Sequence, residues 1–416
     1  MAWNLHCYGL EYLDETQEDR QGLLAHIAQN AKVHKGYRGV YLNYYMNSVQ
    51  YCLSAMKNES NRYEIINMDV HNTGREVWTC RIKGTLKDDT SDPLSKRVMV
   101  STEDDESFAV VELINSDIFP SYEDGETIRF QVTGQALQVH YYENEGAYIQ
   151  AEGIDIKDDH PVLKPGKLAN GDGVIIPSGF INQHLVRKDQ TEKKEIDPEV
   201  DSYCAVRGTV KRLMIHDVKL DDKMASRYIS CLIDTQFGEL PIVHALDDVS
   251  DEDRKQMKEG AVVSVVCVLS GDMLIYDYDQ GIVLNEENNR KLLRSCFNSH
   301  GNWDRLHAAL AENCIYESEG SGMRIQGKEK IIAFLEEREQ VQIAAGVKYD
   351  AVYATLEKPV CDTHEYDAEE GTEVVALYAH GENGWMSIVF LHNDEEGLID
   401  QIFLSENNRH RVSVHD

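Results

Sequence analysis

The residues best suited to moving protons lie in the last third of the chain. Glu317 and Glu319 closely follow Tyr316, and His380 stands two residues after Tyr378. A carboxylate within reach of a tyrosine or a histidine in an apolar pocket has a raised pKa and can act as an acid or a base. Glu317, Glu319 and His380 are therefore the candidate catalytic groups. The alternative is that both glutamates are solvated charges in a loop.

Metal and cofactor chemistry finds little support in the sequence. The nine cysteines lie far apart without a CxxC pair, whereas a zinc site or a thioredoxin motif needs closely spaced thiolates. His410 and His415 belong to a short terminal tail, and the acidic segment 364–373 lacks the ligand spacing of a calcium loop. No P-loop, HExxH or GxSxG motif occurs. We therefore expect no metal and no cofactor, and we expect the cysteines to be reduced and buried.

The composition is that of a folded protein with a very acidic surface. Hydrophobic residues make up 42% and charged residues 27% of the 416 residues, a length that suits roughly three domains. Lysine and arginine total 41 against 73 acidic residues, which gives a net charge of −32. This charge argues against nucleic acid and anionic membranes, which bind through cationic side chains. Basic or neutral partners suit it better.

The expected compartment is the cytoplasm. The opening residues lack a basic segment, an apolar run and a small-residue cleavage site, which together would mark a signal peptide. The most apolar stretch, residues 260–269, has only the length of a strand. No contact with a membrane is expected.

An internal repeat organises the middle of the chain. WTCRIKGTLK at 78–87 matches SYCAVRGTVK at 202–211, so that Cys80 and Gly84 correspond to Cys204 and Gly208 at an offset of 124 residues. The offset grows only between later strand-like blocks, as expected for a duplicated domain with insertions in its loops. Each copy is predicted to contain five strands. In the first copy, the last two are expected at 127–133 and 136–143.

The repeated pattern resembles the oligonucleotide/oligosaccharide-binding (OB) barrel. It has five strands, a glycine inside the long first strand and, in the second copy, a helix between the third and fourth strands. A strand that bends round a small barrel needs a residue that tolerates the bend, which Gly84 and Gly208 provide. Between the copies lies a linker, in which the apolar segment GVIIPSGFINQHLV (173–186) is expected to dock on a barrel.

Binding of single-stranded nucleic acid by these barrels would need a basic groove with exposed aromatic side chains. Residues 76–156 carry 6 basic against 17 acidic residues, and residues 201–284 carry 9 against 15. The candidate stacking residues therefore lack compensating cations, which argues against nucleic acid as a partner. These residues are Trp78, Phe130, Tyr141 and Tyr142.

The C-terminal part changes pattern and resembles the SnoaL-like family, also described as the nuclear-transport-factor-like cone fold. The resemblance rests on the opening GNWDRLHAALAENCIYES, a second helix in GKEKIIAFL and the closing strand pair WMSIVFLHNDEEGLIDQIFL. It implies a curved sheet that wraps a helix around a conical pocket. The family includes ketosteroid isomerases, cyclases and dehydratases, and also non-catalytic binding or dimerisation modules.

The resemblance also suggests where a site would lie. The general base of the isomerase type would fall near Ser318, and a second acid would fall in the apolar stretch 388–390, so neither position matches cleanly. Glu317 or Glu319 would have to substitute. The ligand-binding residues expected in the cone are Tyr316, Tyr353, Tyr378 and Trp385.

The sequence thus predicts a multi-domain α+β protein. We expect a non-catalytic scaffold or binding protein, whose cone mediates self-association into a homo-oligomer or holds a small ligand, and whose barrels contact protein partners. An acid–base enzyme of the isomerase, cyclase or dehydratase kind is the alternative, and single-stranded nucleic-acid binding is a third reading. The expected divisions are an α/β cap at 1–75, OB-like barrels at 76–156 and 201–288, a linker at 157–200, the cone at 289–408 and a tail at 409–416.

Overall fold

The computed structural model is a mixed α+β protein that divides into two compact units. The first unit is Met1–Asp117 with Tyr122–Gln280, and the second is Ile118–Ser121 with Gly281–Asp416. Within the described part of the chain, no helix combines the length and the apolar character needed to cross a membrane. The described residues are 4–10, 17–46, 48–74, 76–86, 92–152, 173–177, 203–220, 223–274, 282–298, 303–347, 349–358, 360–361, 367–379, 386–405 and 412–414.

The first unit begins with a helix on an antiparallel sheet of order β1-β2-β3-β4. These elements are a 3-10 turn Leu5–Tyr8, α1 Gln17–Asn30, β1 Lys32–Lys35, β2 Gly39–Met46, β3 Val49–Lys57 and β4 Tyr63–Asn72. Leu23 and Ile27 are the buried residues of α1, because positions four apart share one face of a helix. They pack in one core with Tyr51 of β3 and with Tyr228 of the second repeat copy. This region is therefore bound to the repeats by a common core.

The two repeat copies form one large sheet. The strands of the first copy are β5 Val77–Thr85, β6 Lys96–Ser101, β7 Phe108–Leu113 and β8 Thr127–Tyr142, with a 3-10 turn Ser116–Ile118 before β8 and α2 Glu145–Glu152 after it. The strands that follow are β9 Val174–Pro177 in the linker and β10 Tyr203–Leu220, β11 Lys223–Thr235, β12 Gly238–Ala245 and β13 Val262–Met273 in the second copy, with α3 Asp251–Gln256 between the last two. As expected for the apolar linker segment, β9 pairs with β10.

Strand pairing closes two five-membered rings that share two strands. Ring 1 contains β5, β6, β7, β13 and β8, and ring 2 contains β10, β11, β12, β8 and β13. The third strand of each copy pairs in parallel with the last strand of the other copy, β7 with β13 and β12 with β8. Each ring is thus completed by a strand of the other copy.

The prediction of separate strands at 127–133 and 136–143 is wrong. The structure has one continuous strand, β8, because it pairs with β13 from Phe130 to Tyr142. Its first residues pair with β5, and its middle pairs with β12. Gly134 permits the close approach to β12, since a β-carbon there would lie 3.3 Å from Ile242 Cγ1. The partner that keeps β8 continuous comes from the other copy, far away in sequence.

The second unit is a seven-stranded sheet with helices. Its helices are α4 Glu286–Asn298, α5 Trp303–Ala309 and α6 Lys328–Ala344. Its strands are β14 Leu310–Ser318, β15 Met323–Gln326, β16 Tyr349–Leu356, β17 Val360–Cys361, β18 Asp367–Ala368, β19 Glu373–Ala379, β20 Met386–Asn393, β21 Ile399–Ser405 and β22 Val412–Val414. The order in the sheet is β15-β14-β21-β20-β19-β16-β22, and β17 pairs with β18. As the turn HNDEEG predicts, β20 and β21 form an antiparallel hairpin.

Candidate functional site

One face of the second unit's sheet is covered by helices. Tyr316 in β14 is buried, and its ring lies 5.3 Å from that of Phe334 in α6. Arg338, one turn further along α6, donates a hydrogen bond of 3.0 Å from Nη1 to the Tyr316 hydroxyl. At the other side of the sheet, the guanidinium of Arg294 in α4 lies 4.3 Å from the ring centre of Tyr353. We call the face that carries Tyr316 and Tyr353 the helix face.

The register links these two tyrosine strands across the sheet. Ser318 pairs with Leu404, Leu404 with Val389, Val389 with Val375, and Val375 with Tyr353. Directly paired residues place their side chains on the same face. A row with a hydroxyl at each end and three aliphatic side chains in its middle therefore runs across the helix face.

Glu317 and Glu319 lie on the opposite face, because successive residues of a strand alternate in direction. Glu317 forms an ion pair of 2.5 Å with Arg324, its register partner in β15. Glu319 accepts a hydrogen bond of 2.8 Å from the Ser405 hydroxyl. The structure thus does not bring these two carboxylates together with Tyr316.

Two further predicted site residues, Tyr353 and Tyr378, also lie on opposite faces of the sheet. Tyr378 is two residues from Ala376, which belongs to the apolar cluster of the face opposite the helices, and 43% of Tyr378 is exposed. Tyr353 and Tyr378 therefore point to different faces. His380 and Trp385 lie outside the described residues.

The helix α4 is fixed to the sheet by its last turn. Asn298 accepts a hydrogen bond of 2.7 Å from the Ala351 amide and donates one of 3.0 Å to the Ala351 carbonyl. Arg294 donates to the same carbonyl from Nε at 3.1 Å. Buried backbone groups need such partners, and these bonds hold the Arg294 guanidinium over Tyr353.

One serine on the helix face, Ser387, was not singled out from the sequence, whereas a second, Ser318, marks the place where the family resemblance put a general base. Ser387 is fully buried, and its Oγ has no hydrogen-bond partner among the described residues. Ser387 precedes Val389 by two residues and so points to the helix face. Ser318 is also buried and accepts a hydrogen bond of 2.8 Å from Ser321. The available signal was a serine at an inward position of the otherwise apolar strand MSIVFL.

A buried carboxylate on α6 was also missed. Glu339 follows Ile331 and Leu335 at intervals of four residues, and all three are buried on one stripe of the helix. The Trp303 indole in α5 donates a hydrogen bond of 2.8 Å to Glu339 Oε2. This bond joins the two helices. The spacing of an acidic residue within an apolar stripe could have indicated it.

The Cys314 thiol of β14 is poorly suited to act as a nucleophile. Burial raises the pKa of the Cys314 thiol to about 12, which keeps it protonated near neutral pH. In the described ranges of the chain, no three His, Cys, Asp or Glu side chains are grouped to hold a metal ion.

Three of the four aromatic residues that the sequence offered for base stacking are engaged in packing. Trp78 is buried and stacks on Phe237 with ring centres 4.9 Å apart, and its indole donates to the Glu239 carbonyl at 2.9 Å. Tyr141 is buried with its hydroxyl 2.8 Å from His244 Nε2. Phe130 is fully buried as well. Because these three rings are buried, they are not exposed for stacking with the bases of a nucleic acid.

Comparisons with known proteins give partial structural likenesses. No protein-family model matches the chain, and no curated protein matches it. An uncharacterised protein with a cystatin-like fold from Silicibacter pomeroyi is 16% identical over 26% of this chain and 66% of its own, with a TM-score of 0.18. A putative ketosteroid isomerase from Kribbella flavida is 22% identical over 30% of this chain and 82% of its own, with a TM-score of 0.20. A SnoaL-like protein of unknown function from Burkholderia thailandensis is 15% identical over 28% of this chain and 87% of its own, with a TM-score of 0.19.

Proposed function

We propose that this protein is a non-catalytic binding scaffold whose second unit holds a small ligand on the helix face. In this proposal the second unit is a SnoaL-like cone and the two rings of the first unit are OB-like barrels. The observation that carries the proposal is the opposite orientation of Tyr316 and Glu317. It leaves Glu317 and Glu319 outside the face on which a cone would hold its ligand.

The side chains of the helix face suggest the chemistry of the ligand. In this proposal, the unpartnered hydroxyl of the buried Ser387 would bind the ligand, and Tyr316 and Ser318 would add two more hydroxyls on the same face. Aliphatic side chains separate these hydroxyls. A compact, mostly apolar molecule with a few hydrogen-bonding oxygens would suit such a surface.

The first unit would serve as the scaffold for protein contacts. Its five-membered rings, and α3 between the third and fourth strands of the second copy, support an OB-like assignment. The shared strands β8 and β13 support a rigid body, because neither ring closes without the other copy. The buried Trp78, Phe130 and Tyr141 and the net charge of −32 favour a protein partner over a nucleic acid.

Self-association through the second unit and a cytoplasmic location belong to the same proposal. Val341 and Ile343 at the end of α6 are 64% and 49% exposed and offer apolar contacts to a second copy. Eight buried cysteines of the described ranges carry free thiols, which agrees with a reducing compartment.

Native mass spectrometry of freshly purified protein tests the proposal. We expect a multiple of 47.3 kDa that carries an added mass of a few hundred daltons, roughly the size of a pocket ligand, lost on denaturation. Tyr316→Phe and Ser387→Ala should reduce the bound fraction, whereas the matched control Glu317→Gln on the opposite face should retain it.

An acid–base enzyme would respond differently to these substitutions. If a turnover is found for the ligand and Glu317→Gln or Glu319→Gln abolishes it while the fold remains stable, the non-catalytic proposal is wrong. If the protein is a ligand-free monomer that contacts no partner at micromolar concentration, the proposal also fails.

A further inference from the structure

Cys204 and Cys267 form a matched pair inside ring 2. They are directly opposed on the antiparallel strands β10 and β13, and their sulfur atoms lie 3.5 Å apart. Both side chains are buried. A β-carbon built at Gly134 of β8 would lie 3.4 Å from the Cys267 sulfur, so this sulfur lies on the side of β13 that packs against the neighbouring strand β8. We propose that Cys204 and Cys267 form a reversible disulfide bond that joins β10 to β13.

The backbone already satisfies the requirements of this bond. Opposed residues of antiparallel strands have Cα atoms about 4.5 to 5.5 Å apart, which lies within the range of about 4.4 to 6.8 Å found for disulfides. The sulfur atoms must approach from 3.5 Å to about 2.05 Å. Rotation about the Cα–Cβ bonds achieves this approach, and the strands keep their register.

The first repeat copy provides an internal comparison. Cys80 occupies the position that corresponds to Cys204, but its register partner in β8 is Ile128. Cys80 is also buried. The thiol pair is therefore a property of the second copy, and Cys80 serves as a matched control for burial and for position in the repeat.

The oxidant we assign is hydrogen peroxide, which is small enough to reach a protein interior. The Cys204 thiolate attacks one peroxide oxygen, the O–O bond breaks, and a sulfenic acid and hydroxide form. The Cys267 thiolate then attacks the sulfenic sulfur, the S–S bond forms and the S–O bond breaks. Two thiols lose two electrons and two protons, and one peroxide becomes two waters.

The environment of the pair sets the speed of this reaction. The hydrogen bond with Cys267 and burial raise the pKa of Cys204 well above its usual range. Since the thiolate is the nucleophile, the reaction is slow at neutral pH and accelerates as the pH rises. The disulfide bond would then form during prolonged exposure to peroxide, and a dithiol reductant would reduce it again.

Counting thiols in the full-length protein tests the proposal. After treatment with peroxide, removal of the oxidant, denaturation and alkylation, we expect the number of alkylated cysteines to fall from nine to seven. Dithiothreitol should restore all nine. Peptide mapping should recover a crosslink between positions 204 and 267 with a mass about 2 Da below that of the two thiol peptides. The oxidised protein should melt roughly 5 °C or more above the reduced protein.

Single variants separate this pair from the other thiols. Cys204→Ala and Cys267→Ala each begin with eight thiols and should keep eight after oxidation, whereas Cys80→Ala should fall from eight to six. If the alanine variants do not fold, the crosslink map of the unaltered protein still shows whether Cys204 and Cys267 form the disulfide. Nine alkylated thiols after peroxide at every pH, or a crosslink between other cysteines, would overturn the proposal.

Discussion

His71 and Ser270 are in contact at the point where the two rings share their strands. Nδ1 of His71 in β4 lies 3.2 Å from Oγ of Ser270 in β13, and Nε2 lies 3.4 Å from Oγ1 of Thr133 in β8. Ser270 and Thr133 are direct register partners. A side chain from the N-terminal region thus bridges the two shared strands.

The His71 side chain is fully buried, and its contribution to stability therefore depends on pH. Burial lowers the pKa of His71 from 6.5 to about 3. Because the folded-state pKa lies below the unfolded value, the contribution is fully present above pH 6.5 and is lost as the pH falls towards 3. The loss is about 1.4 kcal/mol per pH unit in that window. Urea unfolding between pH 7 and pH 4 should show this slope.

His71→Gln should flatten that pH dependence while lowering stability at pH 7 by about 1 kcal/mol, through the lost hydrogen bonds. His140→Gln is the matched control, because it removes a histidine whose side chain is 59% exposed. His244, whose pKa burial lowers to about 4, contributes a similar slope and remains in both variants. An unchanged slope in His71→Gln would contradict this assignment.

The contribution of Asp272 to stability should have the opposite dependence on pH. Burial raises its pKa from 3.8 to about 6, although Asn115 donates a hydrogen bond of 2.6 Å to its carboxylate. A raised folded-state pKa means that stability is lost as the pH rises from about 4 to 6. Asp272→Asn should therefore be more stable at pH 7, by up to about 3 kcal/mol. The control Asp124→Asn removes an exposed carboxylate and should shift the unfolding midpoint little.

Gly271 should not tolerate a side chain. A β-carbon there would lie 2.8 Å from Leu113 Cδ2 and 2.9 Å from Phe130 Cδ2, inside the contact of β13 with β7 and β8. Gly271→Ala should cost about 1 to 3 kcal/mol of unfolding free energy. Gly22→Ala in α1 meets no atom within 4 Å and should instead stabilise the protein by about 0.5 to 1 kcal/mol. Equal effects of the two changes in thermal unfolding would refute the packing argument.

Ser387→Ala should stabilise the ligand-free protein. A buried hydroxyl with no partner costs about 1 to 3 kcal/mol, and alanine removes that cost. Ser318→Ala should destabilise it by about 1 kcal/mol, because Ser321 donates to the Ser318 hydroxyl. Opposite shifts of the melting temperature are the expected result for ligand-free samples. Destabilisation by both changes would mean that Ser387 is satisfied in the folded protein.

The local elements could be predicted from the sequence because neighbouring residues specify them. Ile331 and Leu335 lie one helical turn apart, and they mark the buried stripe of α6. The turn at 392–397 predicts the hairpin of β20 and β21. The similar residues 78–87 and 202–211, from which the repeat was predicted, lie at β5 and at the start of β10. Each of these signals spans a few residues, or compares two short segments.

The site and the shared strands depended on contacts between residues far apart in sequence. Alternation along β14 separates Tyr316 from Glu317, but it does not say which of the two faces α6 covers. Likewise, nothing local to Gly134 indicates that β8 continues past it to pair with both β12 and β13. The sequence by itself determined local elements such as α6 and the hairpin of β20 and β21, and it indicated a duplication. Only the tertiary structure decided which face is enclosed and which copy supplies each strand, because side-chain burial and strand pairing are set by long-range packing.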